Sequence, residues 1–598
     1  MATAAIPKTK IAGGSFLIED RRPDEVFTPE DFTDEHRQIA QTTEEFALKE
    51  IVPNIEKIEH KDYSISRELI KKASELGLAS VDIPEDYGGM DMDKVTSAII
   101  ADYIAKSGSF SVTWGAHVGI GTLPIVYFGT PEQKQKYLPK LASGDWVGAY
   151  ALSESSSGSD ALNCRSRADL SSDGKHYVLN GEKMWITNAK FADLYVIFAK
   201  VGGEKFSAFI VERTFPGFSV GEEEKKLGIR GSSTCPLILN DCQVPVENVL
   251  GEIGKGHIIA FNILNIGRFK LGAGCVGGAR TSLQTALSYS KQRKAFGKTL
   301  SEFGLIREKI ADIATGIYVG EALAYRTVGM IDEALRDIDK KSPDASTQIR
   351  KGIEEYAVEC SILKVWGSEM LDRVVDHVVQ IYGGYGFVEE YPAERAYRDS
   401  RVNRIFEGTN EINRMIITGW LMKRAMSGQL ALMPAIKKLM DEVLSGPSMG
   451  EEVEGVLASE RTLLGNAKKA ALFVAGVASQ RYMMELADQQ EVMAALADVI
   501  IEVFAMDSAL LRTMKLVQAQ GENAAALPVA MTQVYLSEAM ARIEVAARRV
   551  LAAAAEGDDL RIQTTILRRL MKHDPTNVIG LRQQIATRTI EAGKYTIS

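Results

Sequence analysis

Cysteine is scarce in this chain, with five residues in 598. Cys164, Cys235, Cys242, Cys275 and Cys360 are scattered, odd in number and never at a metal-ligand spacing. They read as free thiols of a reducing compartment, which excludes a disulfide framework. Histidine is also sparse, with seven residues and no HExxH or cluster, so the sequence offers no metal site. Positive charge is not concentrated anywhere: the net charge is -9 and the pI about 5.6, and no basic face marks a nucleic-acid partner. Long apolar runs are missing too. No stretch reaches the roughly eighteen uninterrupted apolar residues of a membrane span. The start, from Met1 to Lys8, lacks the apolar core of a secretion signal, and its want of arginine makes it a poor transit peptide. The expectation is a soluble protein, or one that at most lies on a membrane.

What is present is an ordinary globular composition, 45% hydrophobic and 25% charged. The length is too great for one core, so about two to four domains are expected. Residues 1–27 read as an irregular arm. Residues 28–147 read as a helical domain, with a helix capped at Thr33-Asp34-Glu35 whose apolar face holds Ile39, Phe46, Ile51 and Val52. Further helices are expected at 66–76, 93–106 and 108–142, the first two joined by the turn-rich connector from Gly77 to Gly89. Near Trp146 the character changes to β over residues 148–256. Asn180-Gly181, set between His176-Tyr-Val-Leu and Glu182-Lys-Met-Trp-Ile-Thr187, predicts a hairpin with a type I′ turn. Short β-branched and aromatic runs follow at 194–201, 206–211 and 235–244. Helical spacing resumes over 257–290, 302–338, 346–381 and 409–426, so residues 257–425 form a second helical domain. After a break at Ser445-Gly-Pro-Ser-Met-Gly450, alanine, leucine and methionine dominate, and 426–598 reads as an appended helical domain. The fold class is mainly α with an inserted β domain.

One literal GxGxxG occurs, Gly272-Ala-Gly274-Cys-Val-Gly277. A dinucleotide fingerprint must follow a strand and open a helix, with an acid about twenty residues on. Here the preceding run is in helical register and the following one is basic, so we reject the NAD reading and assign the small residues to close helix packing. The block Tyr150-Ala-Leu-Ser-Glu-Ser-Ser-Ser-Gly-Ser-Asp160 could hold a carbonyl-rich ring or an anion, or be a solvated loop. Trp185 and Thr187 share one face of a strand, which suits a flat heteroaromatic ligand or an ordinary core. Glu407 follows Ile405-Phe406 and precedes Gly408. A carboxylate in apolar surroundings loses solvation and rises toward the range of a general base, and the glycine lets a ligand approach the backbone.

Together these pieces resemble the acyl-CoA dehydrogenase family. Ala151-Leu-Ser-Glu-xx-Ser-Gly-Ser-Asp160 looks like its first signature. Gln380-xx-Gly-Gly-x-Gly-Phe, with Glu390, Arg395 and Asp399, looks like its second, and Phe406-Glu407-Gly-Thr-Asn carries its catalytic glutamate. Gly77-Leu, Pro84, Tyr87-Gly-Gly and Arg293-xx-Phe296-Gly297 agree, so the resemblance covers about residues 30–425. Gly115-Ala-His, Ile263-Leu-Asn-x-Gly-Arg-Phe269 and the long helical extension are similar to the very-long-chain branch.

The resemblance implies an N-terminal helical domain, a middle β-barrel or sandwich domain and a C-terminal four-helix bundle, with an extra helical domain appended. It implies FAD, held by Tyr150, Leu152, Ser153, Ser159, Trp185, Thr187, Arg293, Phe296, Gln380, Gly383, Gly384, Thr409 and Glu411. Arg293, Phe296, Gln380, Gly383 and Gly384 would reach the cofactor of a neighbouring subunit, hence a homo-oligomer, at least a dimer. It implies Glu407 as the base that removes the α proton of a CoA thioester, with Ser159, Asn265, Gly267, Arg268 and Gly408 bordering the substrate. The partners implied are a long-chain acyl-CoA and an electron-transferring flavoprotein. An oxidase that uses oxygen and a non-catalytic scaffold share the fold and stand as alternatives. Ser155 replaces a common proline, Ser153 a threonine, and Gly304 a glutamine that some members place near the shared flavin. Small residues at Gly115, Ala116, Gly119 and Gly121 could leave a deep tunnel for a long chain. Residues 426–445, apolar with a lysine pair, could lie on a membrane or pack on a subunit. The setting is cytoplasmic for a bacterial protein, either free or membrane-associated through the extension, and mitochondrial for a eukaryotic one.

Overall fold

The computed structural model describes residues 11–340, 342, 344–444 and 455–597. Seven helices come first: α1 (Asp34–Phe46), α2 (Ile55–Glu59), α3 (Tyr63–Glu75), α4 (Lys94–Tyr103), α5 (Gly108–Gly115), α6 (Leu123–Phe128) and α7 (Pro131–Ala142). Eight strands follow: β1 (Gly148–Ala151), β2 (Arg167–Leu170), β3 (His176–Thr187), β4 (Leu194–Val201), β5 (Lys205–Glu212), β6 (Phe218–Val220), β7 (Thr234–Pro245) and β8 (Val249–Leu250). The long α8 (Gly256–Gln292) leads to a small ribbon, β9 (Lys294–Ala295) and β10 (Lys298–Thr299). Then come α9 (Gly304–Leu335), α10 (Ala345–Glu355), α11 (Ala357–Tyr382), α12 (Pro392–Ser400) and α13 (Asn410–Met426). The extension adds α14 (Leu432–Leu444), α15 (Ala458–Tyr482), α16 (Gln490–Gln520), α17 (Ala526–Ala554), α18 (Gly557–Leu570) and α19 (Val578–Ala592). The break expected at 445–450 lies outside the described residues.

Two compact units divide the chain. One holds Phe32–Tyr289 and Gly367–Asn410. Its helices start where side chains can take up free backbone donors. Thr33 Oγ1 accepts the His36 N–H at 3.2 Å and Asp93 Oδ1 the Thr96 N–H at 2.8 Å. Thr130 and Gln133 cap α7 reciprocally, with Pro131 in its first turn. Beyond α1 a wide turn, Ala47–Ile51, inserts an extra residue into the helical path. The resulting rotation keeps Ile51 buried but leaves Val52 40% exposed, which corrects the expected apolar face. The strands form one sheet in the order β6-β7-β3-β2-β4-β5-β8, with β1 parallel to β4. Phe46, Ile51, Phe110 and Trp114 from the helices share a core with Val147, Tyr195, Phe209 and Leu237 from the sheet.

The predicted hairpin at Asn180-Gly181 does not form. β3 runs through it as a single strand, with a register irregularity between Leu179 and Gly181 where it pairs with β7. Asn180 instead exchanges hydrogen bonds with Asp241, donating to Oδ1 at 3.0 Å and accepting the Asp241 N–H at 2.9 Å. Gly181 is required by packing, because a β-carbon there would fall 2.8 Å from Ser166 Cα. Cross-strand partners override the local turn preference.

The second unit holds the chain up to Asp31, Ser290–Trp366 and everything from Glu411. Helices α15, α16, α17 and α19 pack with α9 in it. Residues 11–31 are three 3-10 turns with Phe16, Leu17 and Val26 buried, and the Phe16 ring lies 4.7 Å from that of Phe504. The stretch expected as one helix over 346–381 is two, separated at Tyr356, whose hydroxyl donates to the Ile11 carbonyl at 2.7 Å. The membrane reading of 426–445 is also corrected. Leu430, Leu432, Ile436 and Leu439 are buried, and α14 packs on α15. Ile436 sits against Gly476, and Lys469 pairs with Glu442 at 2.7 Å. No helix among the described residues is long and apolar enough to cross a membrane.

Candidate active site

The loop from α12 to α13 carries Glu407 in the left-handed backbone region, at φ 57°, followed by Gly408 at φ 78°. A glutamate rarely adopts that conformation, and the surrounding contacts must hold it there. Two consecutive left-handed residues reverse the chain and lay the Glu407 carboxylate on α8, directly over Gly267. A β-carbon on Gly267 would fall 2.6 Å from Glu407 Cδ and 2.8 Å from Oε1. The neighbour Arg268 donates from Nε to the Glu407 carbonyl at 3.2 Å and from Nη1 to Asn265 Oδ1 at 2.8 Å. Asn265, Gly267, Arg268 and Gly408, four of the expected substrate residues, are therefore gathered around Glu407, with Gly267 under its carboxylate.

From Glu407 a mainly apolar cavity of about 260 Å³ opens, also lined by Thr187. It follows α8 past Gly267, Leu271, Gly274, Gly278 and Ser282, a stripe at helical spacing. Fifteen steps of ~1.5 Å from Gly267 to Ser282 make that stripe roughly 22 Å long. Gly274, part of the rejected nucleotide motif, is thus cavity wall, while Gly272 packs on Gly367 and Gly277 on the Asp102 carbonyl. Gly115, Ala116 and Gly119 also line the cavity, and a β-carbon on Gly115 would meet nothing within 4 Å. Gly121 departs from expectation: it packs on β1, where its β-carbon would lie 2.7 Å from Gly148 C.

The β domain brings its residues to the same region by a set of buried polar ties. His117 is fully buried, and burial lowers its pKa to about 4, so its neutral ring can accept the Gly148 N–H on Nδ1 at 3.1 Å. That bond fixes the start of β1 and with it Tyr150. The Tyr150 hydroxyl is buried, and no hydrogen-bond partner falls to it among the described residues. Burial, and then the nearby Glu407 charge, push its pKa well up. After β1 the Glu154 carboxylate staples the loop: it accepts from Arg165 N at 2.6 Å, Ser166 N at 3.1 Å and the fully buried Lys183 Nζ at 2.7 Å. The Met184 N–H donates to the Ser153 carbonyl at 2.9 Å. Leu152 and Ser153 are half-buried and Ser159 is exposed. β3 bulges between Lys183 and Ile186, and Trp185 at the bulge takes φ 58° and is 56% exposed. A large aromatic held outward in left-handed backbone, on a strand tied through Met184 to Ser153, suits a flat ring with polar edges.

Other expected residues are not gathered at this cavity. Gln380 is exposed at the end of α11, and Gly383 (φ 59°) and Gly384 have open space where side chains would be. Thr409 is half-buried beside Gly408, and Glu411, exposed, belongs to the other unit. Arg293 is exposed at the head of the ribbon. Phe296 sits at its tip, left-handed at φ 51° before Gly297 and 95% exposed. Asp399, which the sequence reading placed in the second signature without a role at the site, lines the cavity with its carboxyl buried. Burial and then Glu59 raise its pKa to about 7, and it accepts the Ile229 N–H at 2.5 Å. Lys270, one turn beyond Gly267, was a visible signal: a lysine inside an apolar helical stripe.

Family models match almost the whole architecture. The acyl-CoA dehydrogenase N-terminal domain matches residues 33–145, the middle domain 149–242 and the C-terminal domain 254–422. A second model, also described as an acyl-CoA dehydrogenase C-terminal domain, matches 466–569 in the extension. The chain belongs to the acyl-CoA dehydrogenase family. It is 50% identical over 586 residues to a probable acyl-CoA dehydrogenase of Bacillus subtilis, covering 98% of each chain. It is 35% identical over 425 residues to the very long-chain specific acyl-CoA dehydrogenase of Rattus norvegicus, covering 69% of this chain and 60% of that one. The crystal structure of an acyl-CoA dehydrogenase complexed with FAD from Bacillus anthracis superposes with a TM-score of 0.96 at 49% identity, covering 98% of this chain and 100% of that one.

Proposed function

We propose that this protein is an FAD-dependent dehydrogenase that converts a long-chain acyl-CoA to the trans-2-enoyl-CoA in fatty-acid β-oxidation, in the cytoplasm, and passes electrons to an electron-transferring flavoprotein. The observation that carries this reading is one carboxylate, Glu407, laid over Gly267 where a mainly apolar cavity runs along α8 as far as Ser282. Glu407 removes the α proton of the thioester. The Glu407 N–H would donate to the thioester carbonyl, which acidifies that proton. Arg268, tied to the Glu407 carbonyl and to Asn265, holds this turn in position. Asn265, Gly267, Gly408 and Ser159 border the substrate, and the stripe from Gly267 to Ser282 takes its acyl chain.

Bound FAD supplies the acceptor for the β hydride. Tyr150, Leu152, Ser153, Ser159, Trp185, Thr187, Thr409 and Glu411 are the residues that would hold it. The orphaned hydroxyl of Tyr150 and the outward Trp185 support that assignment. Arg293, Phe296, Gln380, Gly383 and Gly384 act on the cofactor of a second copy, so the working unit is a homodimer or larger. Phe296, extended from its ribbon and almost fully exposed, supports this. The test is hexadecanoyl-CoA oxidation with either electron-transferring flavoprotein or oxygen as acceptor. Rapid reduction of the flavoprotein without peroxide supports the reading. Peroxide formation would make the protein an oxidase, and no turnover with either acceptor would leave a scaffold.

A further inference from the structure

The wall of the acyl cavity contains a charge that a saturated chain cannot use. Lys270 lies on α8 three residues beyond Gly267, about 4.5 Å further along the helix, and its stem lines the cavity with its Cδ 4.0 Å from where a β-carbon on Gly119 would sit. Its ammonium is bound to Asp82 Oδ2 at 2.8 Å. Asp82 is already satisfied without it: Lys94 donates to Oδ1 at 2.5 Å and Ser97, another cavity residue, donates to Oδ2 at 2.6 Å. All three charged side chains are buried, at 4% exposure for Asp82, 8% for Lys94 and 11% for Lys270. Two ammonium groups thus share one carboxylate. The other cations near the cavity are paired elsewhere, Lys106 with Glu44 at 3.0 Å and Arg280 with Asp102 at 2.7 Å, while the acids that line it are Glu407 and Asp399. Burial pulls the Lys270 pKa down while Asp82 opposes the shift. A second buried ammonium on one carboxylate leaves the cluster with a net positive charge, at a desolvation cost that an apolar residue would avoid. The lysine that lines the cavity is the surplus one.

From this charge imbalance we infer that Lys270 is a specificity-determining residue that accepts acyl chains bearing a hydrogen-bond-accepting oxygen, of which a terminal carboxylate is the strongest, where the chain passes one helical turn beyond the reacting carbons. The inference rests on the dehydrogenase reading above. Because Lys270 follows Gly267 by a single turn, the preferred ω-carboxylate falls at one intermediate chain length, and longer chains carry it past into the apolar stripe.

The test compares kcat/KM of the FAD-loaded enzyme for mono-CoA thioesters of the hexanedioyl to hexadecanedioyl series with saturated acyl-CoAs of the same lengths, in the native chain and in Lys270→Met. An apolar cavity rejects a terminal carboxylate at every length. The expected result is a native ratio of dicarboxyl to saturated turnover that peaks at one intermediate length and falls roughly tenfold or more there in Lys270→Met. A purely structural lysine would lower both substrates alike, and an unchanged ratio would overturn the inference. A native enzyme that rejects every dicarboxyl substrate would overturn it without any variant. Failure of hexadecanoyl-CoA itself to react would instead sink the dehydrogenase reading.

Discussion

Adding one methyl group at Gly267 separates the catalytic geometry from the stability of the fold. In Gly267→Ala the new β-carbon falls 2.6 Å from Glu407 Cδ, where ordinary contact begins at 3.4 Å. The carboxyl carbon must therefore retreat by 3.4 - 2.6 = 0.8 Å. What gives way is the far end of a flexible side chain, so the fold yields cheaply, and alanine favours a helix over glycine by about 0.8–1.0 kcal/mol. Catalysis does not yield cheaply. A misplacement near 1 Å costs on the order of 10²-fold, or about 2.7 kcal/mol of barrier. Anaerobic single-turnover bleaching of the flavin by hexadecanoyl-CoA would read the chemical step directly, with bound FAD and the melting temperature measured alongside. We expect full FAD occupancy, an unchanged or slightly higher melting temperature, and a bleaching rate roughly a hundredfold lower. A rate within a factor of a few of the native enzyme would refute the placement of the Glu407 carboxylate over Gly267.

Three further outcomes follow from the same geometry. Gly115→Met projects into open cavity, so hexadecanoyl-CoA should lose at least about tenfold in kcat/KM while butyryl-CoA is spared; equal losses across a chain-length series would contradict the tunnel. Glu154→Ala strands Lys183, whose side chain has no solvent exposure, and should cost roughly 3–5 kcal/mol in denaturant unfolding with weakened FAD retention. The Asp399 carboxyl has its pKa raised from 3.8 to about 7, so the folded chain holds this proton where the unfolded chain has released it. Stability from this group is therefore lost as pH rises from about 4 to 7, and Asp399→Asn should reduce that slope without abolishing it, because Glu359 is raised to about 7 by burial as well. An unchanged slope in urea titrations would show that Asp399 is ionised in the fold.

The helical segments, the β insert and Glu407 were legible because each rests on a local pattern: periodicity, a cap, or a motif in order. The hairpin was misread because Asn180-Gly181 carries a strong turn preference that pairing with β7, and the approach of Ser166 to Gly181, overrule. The bulge at Trp185, the left-handed Glu407 and the Glu154–Lys183 staple have no sequence signal, since each is fixed by residues distant in the chain. The membrane reading of α14 failed for a related reason. An amphipathic face looks the same whether a bilayer or α15 covers it, and here α15 does. The glycines of the false nucleotide motif were assigned to packing, and Gly272 and Gly277 do pack closely, but Gly274 lines the cavity that opens at Glu407, a use that became visible only once α8 was seen beside Glu407.

The central claim is that Glu407 is the base that takes the α proton. Glu407→Gln keeps the shape of the side chain and removes its basicity. Mixing FAD-loaded Glu407→Gln with hexadecanoyl-CoA under anaerobic conditions should show binding, seen as a perturbed flavin spectrum, with reduction slowed by about 10²–10⁴-fold or more. Flavin reduction at the native rate in that variant would contradict the account.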